Sequence, residues 1–172
     1  MNSSSSGPRR AYVDTSVLSG VAKGELSSAD AQGFIAISDA VASSNISLWA
    51  STVAKREIDQ IPAPFRGEHE REYGALAIVR ASQTTNWIDD RPDSLTYGQA
   101  TVNPTFAAIA KIVPDRADAE HLYQAKANGI EDFITVDKRT ILSRAVQLRA
   151  LGIRVYSPAQ YHQVLIGIVP ST

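Results

Sequence analysis

The sequence predicts an α/β fold in which a mostly parallel central sheet is covered by helices on both faces, and three observations lead there. Short β-favouring runs fall at residues 10–13, 46–50, 132–137 and 152–156. Several of these runs are followed at once by Ser, Thr or Asp, residue types that open helices by accepting their first free N–H groups. The stretches between them carry apolar residues at helical spacing. Strands that alternate with helices build a parallel sheet buried on both sides, which makes a three-layer α/β/α sandwich. A chain of 172 residues with 44% hydrophobic content supports one such core, so one domain is expected.

Residues 1–9 read as a flexible Ser-rich lead outside the fold, residues 10–165 as the domain and residues 166–172 as a C-terminal tail. The first strand, Arg10 to Val13, meets Asp14 and then Thr15 and Ser16. A short helix over Val17 to Val21 follows and Gly24 breaks it. Ser27 with Asp30 three residues on resembles a capping box for a second helix. One face of that helix is expected to carry Phe34, Ile35, Ile37, Ala40 and Val41, and it ends near Ser43-Ser44-Asn45. Ile46 to Ala50 alternates like a half-buried strand. Ser51 or Thr52 then caps a helix holding Val53, Glu57 and Ile58, with Pro62 and Pro64 ending the unit.

From Phe65 to Ser82 a charged opening leads into the apolar stretch Tyr73 to Val79, as in an amphipathic helix. Trp87-Ile88 reads as a short edge strand, and Asp89, Asp90 and Asp93 sit in a turn-rich loop that explains them better than metal binding does. Pro104 opens a helix over Thr105 to Val113. The next helix has Asp115 and Asp118 in its first turn and Gly129 after its last. Asp132 to Asp137 is a third strand ending in an acid, followed by a helix from Lys138 to Ala150. The run from Gly152 to Tyr156 with Ser157-Pro158-Ala159 repeats the strand-to-helix pattern without an acid.

Composition narrows the function. The chain has no cysteine, which excludes a disulfide framework, a thiol nucleophile and a zinc-thiolate site. The net charge is -1, from 17 basic and 18 acidic residues, so any nucleic-acid contact has to come from a local patch. The start lacks the apolar core of a signal peptide and no apolar run is long enough to span a bilayer, so a cytoplasmic protein without membrane attachment is expected.

Four acids stand out by position. Asp14 and Asp137 end strands, where ligands bind in open α/β sheets, while Glu57 and Asp118 lie on helices able to face the same edge. Each has a simpler explanation alone. Asp14 caps a helix, Glu57 pairs with Lys55 or Arg56, and the helix dipole favours both Asp115 and Asp118. Gathered together, however, unpaired carboxylates repel, and their burial costs several kcal/mol apiece. A divalent cation with hard oxygen ligands resolves this, and such a site activates water for in-line attack on a phosphodiester. The four side chains are therefore expected to converge on one cleft.

The blocks Tyr12-Val13-Asp14-Thr15-Ser16-Val17-Leu18, Ser51-Thr52-Val53-Ala54-Lys55-Arg56-Glu57-Ile58, Asp118-Ala119-Glu120-His121-Leu122-Tyr123-Gln124-Ala125 and Phe133-Ile134-Thr135-Val136-Asp137-Lys138 occur in this order. Together they resemble the PIN-domain ribonucleases, especially the small VapC-type toxins of toxin-antitoxin pairs, over nearly all of residues 10–160. The resemblance implies a PIN-like fold and a Mg²⁺- or Mn²⁺-dependent endoribonuclease acting on RNA. It implies that Asp14, Glu57, Asp118 and Asp137 hold the metal and its water, that Asp115 joins through a water, and that Thr15 and Thr135 orient carboxylates. A VapB-like antitoxin and a homodimer are the partners it implies, with the face around Phe34 and Ile37 as a candidate surface.

His121 is read as a packing or hydrogen-bonding residue, and His69 and His162 carry no functional signal. Lys55, Arg56, Arg116, Lys138 and Arg139 are the candidate phosphate contacts. A haloacid-type phosphoaspartate enzyme wants a second Asp two positions after the first, where this chain has Ser16. The alternative that stands is a non-catalytic PIN-like module binding RNA or a partner protein. Asp14→Asn and Asp137→Asn are expected to abolish cleavage and leave the metal-free protein no less stable.

Overall fold

A computed structural model of the protein describes residues 7–78 and 103–167. In chain order its elements are β1 (Arg9–Val13), α1 (Thr15–Lys23), α2 (Ser28–Ala42), β2 (Ile46–Ala50), α3 (Thr52–Asp59), α4 (Ala63–Gly74), β3 (Ala77–Ile78), α5 (Pro104–Ile112), α6 (Arg116–Ala127), β4 (Asp132–Ile134), a 3₁₀ turn (Leu142–Arg144), α7 (Ala145–Ala150), β5 (Arg154–Tyr156) and α8 (Pro158–Leu165). The expected strand at Trp87-Ile88, the loop acids Asp89, Asp90 and Asp93, and most of the C-terminal tail lie outside the described residues.

The five strands form one sheet in the order β3-β2-β1-β4-β5, and every neighbouring pair is parallel. Side chains alternate across β1. Tyr12 points to one face, where Phe133, Ile109, Leu122 and Leu148 bring in α5, α6 and α7. Ala11 and Val13 point to the other, where Val17, Leu18, Ile37 and Tyr161 bring in α1, α2 and α8. The result is the three-layer α/β/α arrangement, with β1 at its centre. From β1 the chain winds outward through β2 to β3, then returns to lay β4 on the opposite side of β1. The strand order therefore reverses between β1 and β4, and their carboxyl ends open a crevice there.

At the other end of the sheet, Asp132 opens β4 as a buried acid. It accepts from Arg9 Nε at 2.5 Å, Arg154 Nε at 2.7 Å and the Tyr161 hydroxyl at 3.2 Å, so it ties β1, β4, β5 and α8 together. The helix layer is held tightly by Gly33, where α2 meets the start of α8. A Cβ there would lie 2.5 Å from the Pro158 carbonyl carbon and oxygen.

Three local expectations are corrected, and one is extended. The unit does end before Pro62, since α3 stops at Asp59, but Pro62 and Pro64 also begin α4, because Pro62 occupies its N-cap and a missing N–H costs nothing in a first turn. The helix expected over Phe65 to Ser82 stops at Gly74. Ala77 and Ile78 instead extend the sheet against Trp49 and Ala50, whose free edge supplies the hydrogen-bond partners. The single helix expected over Lys138 to Ala150 is replaced by a turn, a 3₁₀ segment and α7: the Asp137 carboxylate takes the N–H groups of Arg139 and Thr140 as a cap does, and the Asp137 carbonyl takes the Leu142 N–H, so the first turn does not run on as α-helix. In α2 the buried positions are Asp30, Gly33 and Ile37, while Ile35 is 62% exposed. Ile37 lies in the core and offers no surface for a dimer; Phe34 and Val41 line an apolar hollow of about 500 Å³ with Leu76. No described helix is long and apolar enough to cross a membrane.

Candidate active site

Asp14 sits directly after β1 at the crevice and is 4% exposed. It occupies the N-cap position of α1, yet its side chain makes no capping bond. Its Oδ2 instead accepts from Ser16 Oγ at 2.5 Å and from Thr135 Oγ1 at 2.7 Å. The simple capping explanation therefore fails for Asp14, whose carboxylate is turned towards the end of β4. Thr135 continues the link, since its Oγ1 accepts the Asp137 N–H at 3.0 Å.

Asp137 lies three residues beyond β4. Its Oδ1 accepts from the N–H groups of Arg139 at 2.8 Å and Thr140 at 2.9 Å, and its Oδ2 from the Thr140 hydroxyl. Partial burial pushes its carboxyl up, but the Thr140 hydroxyl, the two N–H donors and the Arg139 charge outweigh this and hold it below the usual carboxylate range. Asp118, in the first turn of α6, behaves oppositely. Burial pushes it up to about 6, the negative charges of Asp14, Asp115 and Asp137 add to the shift, and a hydrogen bond with Thr140 opposes it. Asp115 is exposed and N-caps α6 by accepting the Asp118 N–H at 3.1 Å, the role that helix stability alone assigns it.

Glu57 comes from α3, and the expected pairing with Lys55 or Arg56 does not occur. Lys55 pairs with Asp59, and Arg56 with Glu120. Glu57 Oε2 lies 3.0 Å from His121 Nε2. Partial burial pushes this carboxyl up, while the His121 bond and charge, a bond from Thr15 and the Arg56 charge together bring it below its usual range. His121 Nε2 is also 3.9 Å from Asp14 Oδ1 and 3.2 Å from Thr15 Oγ1. Burial pulls the imidazole down, but the bond to Glu57 and the charges of Asp14, Glu57 and Asp118 prevail and raise it.

All four acids therefore lie about the same edge: Glu57 is bonded to His121, whose ring is 3.9 Å from Asp14, Thr135 ties Asp14 to the Asp137 backbone, and the charges of Asp14 and Asp137 act on Asp118. No protein-family model matches the chain, and no curated protein matches it. The site is thus read from its own geometry. Among the described residues no three His, Asp or Glu side chains are drawn together as a formed metal site. Each carboxylate is turned instead to a hydroxyl, N–H or imidazole donor.

Basic side chains flank the acids. Arg56 and Arg116 line a hollow of about 280 Å³ together with Glu57, Gln60 and Glu120. On the other side Lys138 lines two hollows, one with Ser16 and Val136 and one with Asp30 and Ser157. Lys55 is occupied by Asp59 and, at 3.6 Å, Glu70. Sequence reasoning expected His121 to pack or hydrogen-bond, and it does, but its bond to Glu57 was not foreseen. Its only sequence signal is its place one helical turn after Asp118 on a helix that is buried from Ala119 to Ala125.

Proposed function

We propose that this protein is a metal-dependent endoribonuclease hydrolysing RNA phosphodiesters. The observation that carries the reading is that Asp14, Glu57, Asp118 and Asp137, from four separate stretches of chain, lie about the edge where the strand order reverses, without being drawn into a formed metal cluster. The donor chemistry fits Mg²⁺ or Mn²⁺. The donors are hard oxygens, and Asp118 is pushed up to about 6 by burial, with the charges of Asp14, Asp115 and Asp137 adding a repulsion that a divalent cation relieves. Asp14, Glu57, Asp118 and Asp137 would hold the ion, with Asp115 joining through a water. Bound there, it would supply a water acidic enough to attack phosphorus and positive charge for the phosphate oxygens.

The chain's own residues do the rest. Thr135 and Ser16 orient Asp14, while Thr15 and His121 orient Glu57. Arg56 and Arg116 on one side, with Lys138 and Arg139 on the other, hold the flanking phosphates, which suits a chain whose net charge of -1 gives no general pull on RNA. In its narrower form the reading is a cytoplasmic VapC-like toxin of a type II pair, acting as a homodimer and held by a VapB-like antitoxin. The exposed Ile35 and Val41 are the part of α2 available to such partners.

A second reading, a non-catalytic module that binds RNA or a partner protein, is favoured by the way each carboxylate already has a protein donor. The two separate in a cleavage assay on mixed single-stranded RNA. The wild type is expected to cleave with Mg²⁺ or Mn²⁺, to stop in EDTA, and to lose activity as Asp14→Asn. RNA that is bound equally well in EDTA and never cut would favour the module.

A further inference from the structure

We infer that His121 is the positioning residue for Glu57, and that Tyr12 and Ser51 keep its Nε2–H on that carboxylate. The inference rests on the ribonuclease reading. The ring is 1% exposed, and both of its nitrogens have partners. Nε2 lies 3.0 Å from Glu57 Oε2, and Nδ1 lies 2.8 Å from the Tyr12 hydroxyl. That hydroxyl is 2.6 Å from Ser51 Oγ, which also accepts the Val53 N–H at 3.2 Å as the N-cap of α3.

A carboxylate only accepts, so the proton between the ring and Glu57 belongs to Nε2. With a neutral ring, Nδ1 accepts from Tyr12, whose oxygen accepts in turn from the Ser51 hydroxyl. In this arrangement every buried donor and acceptor of the relay is paired, so nothing gives the ring a reason to leave Glu57. The relay begins at Ser51 and ends at Glu57, the cap and the last turn of the same helix. It passes through β1 and α6 on the way. It therefore fixes α3's acid relative to Asp14, which follows β1, and Asp118, on α6. Glu57 has a side chain 32% exposed, and without this bond only Thr15 restrains the long side chain from swinging into solvent.

The test is Mn²⁺ binding by calorimetry on the full chain, with thermal melts to confirm folding and metal-free NMR of the His121 ring. The wild type is expected to show a His121 Nε2–H protected from solvent at about pH 8, above the ordinary imidazole value. His121→Leu, which fills the space without a donor, is expected to weaken Mn²⁺ about 10- to 100-fold. His121→Gln, whose amide can donate to Glu57, should restore binding to within a few-fold, and Tyr12→Phe should fall between them, with kcat lowered and KM for RNA unchanged. Wild-type affinity in His121→Leu, or equal loss in the Leu and Gln variants, would overturn the role. An unprotected Nε2–H in the wild type would overturn the relay even if Mn²⁺ binds. Absence of Mn²⁺ binding by the wild type would instead overturn the ribonuclease reading, and the positioning role with it.

Discussion

Asp118 and Asp137 share one edge and answer to it in opposite ways. The carboxyl of Asp118 is raised from 3.8 to about 6, so the folded state binds its proton more tightly than the unfolded chain does. That contribution to stability is present below the ordinary value and is lost as pH rises through the window from 3.8 to about 6. At neutral pH the metal-free protein therefore carries an uncompensated charge. Asp118→Asn is expected to raise the metal-free Tm, at about 2–4 °C per kcal/mol, at neutral pH and not below about pH 4. Asp137 is depressed instead, so its contribution is present at neutral pH and fades as pH falls below the ordinary 3.8. Asp137→Asn keeps an acceptor for the Arg139 and Thr140 N–H groups but loses the charge, and should melt no higher than the wild type. This revises the expectation that an amide at either strand end relieves repulsion. Melts in EDTA across this range decide it, and a stabilised Asp137→Asn or an unchanged Asp118→Asn would contradict the account. The positions of both acids were legible in the sequence. Whether a neighbour repels or donates was not, since Thr135 reaches Asp14 from 121 residues away.

At the scale of elements, the alternation of Ile46 to Ala50, the Ser51 cap and the Ser157 start of α8 were all readable, because each depends on residues within a few positions. β3 was not readable. It has two residues, follows a charged helix, and exists because the edge of β2 is there to pair with. The face of α2 was half readable: Ile37 and Phe34 pack inward as apolar spacing suggests, but Ile35 does not. The decisive contact of that helix is made by Gly33, which a hydrophobic pattern passes over. Gly33→Ala gains up to about 1 kcal/mol of helix propensity and should still lose about 1–3 kcal/mol overall from overpacking against Pro158. Urea denaturation measures this directly. A variant as stable as the wild type would show that α2 and α8 are not held at this distance.

For the molecule as a whole, alternating strands and helices were enough to foresee a parallel sheet with two covered faces. The strand order was not foreseeable at that level, and it is the order, with its reversal between β1 and β4, that brings the loops of Asp14 and Asp137 side by side. The opposite edge supplies the contrast. Asp132 is also a buried acid of the sheet, but it is met by Arg9, Arg154 and Tyr161, so it stabilises the fold and needs no other charge. The acids at the carboxyl edge are met by hydroxyl, N–H and imidazole groups, and Asp118 holds its proton to about 6. That difference underlies the central claim, that Asp14, Glu57, Asp118 and Asp137 form one divalent-cation site. The most direct measurement is a calorimetric titration of Mn²⁺ into the wild type, Asp14→Asn and Asp118→Asn, each shown to be folded. Saturable binding by the wild type, weakened at least about tenfold in both variants, is the predicted result. Binding of equal strength in all three proteins, or none in the wild type, would contradict it.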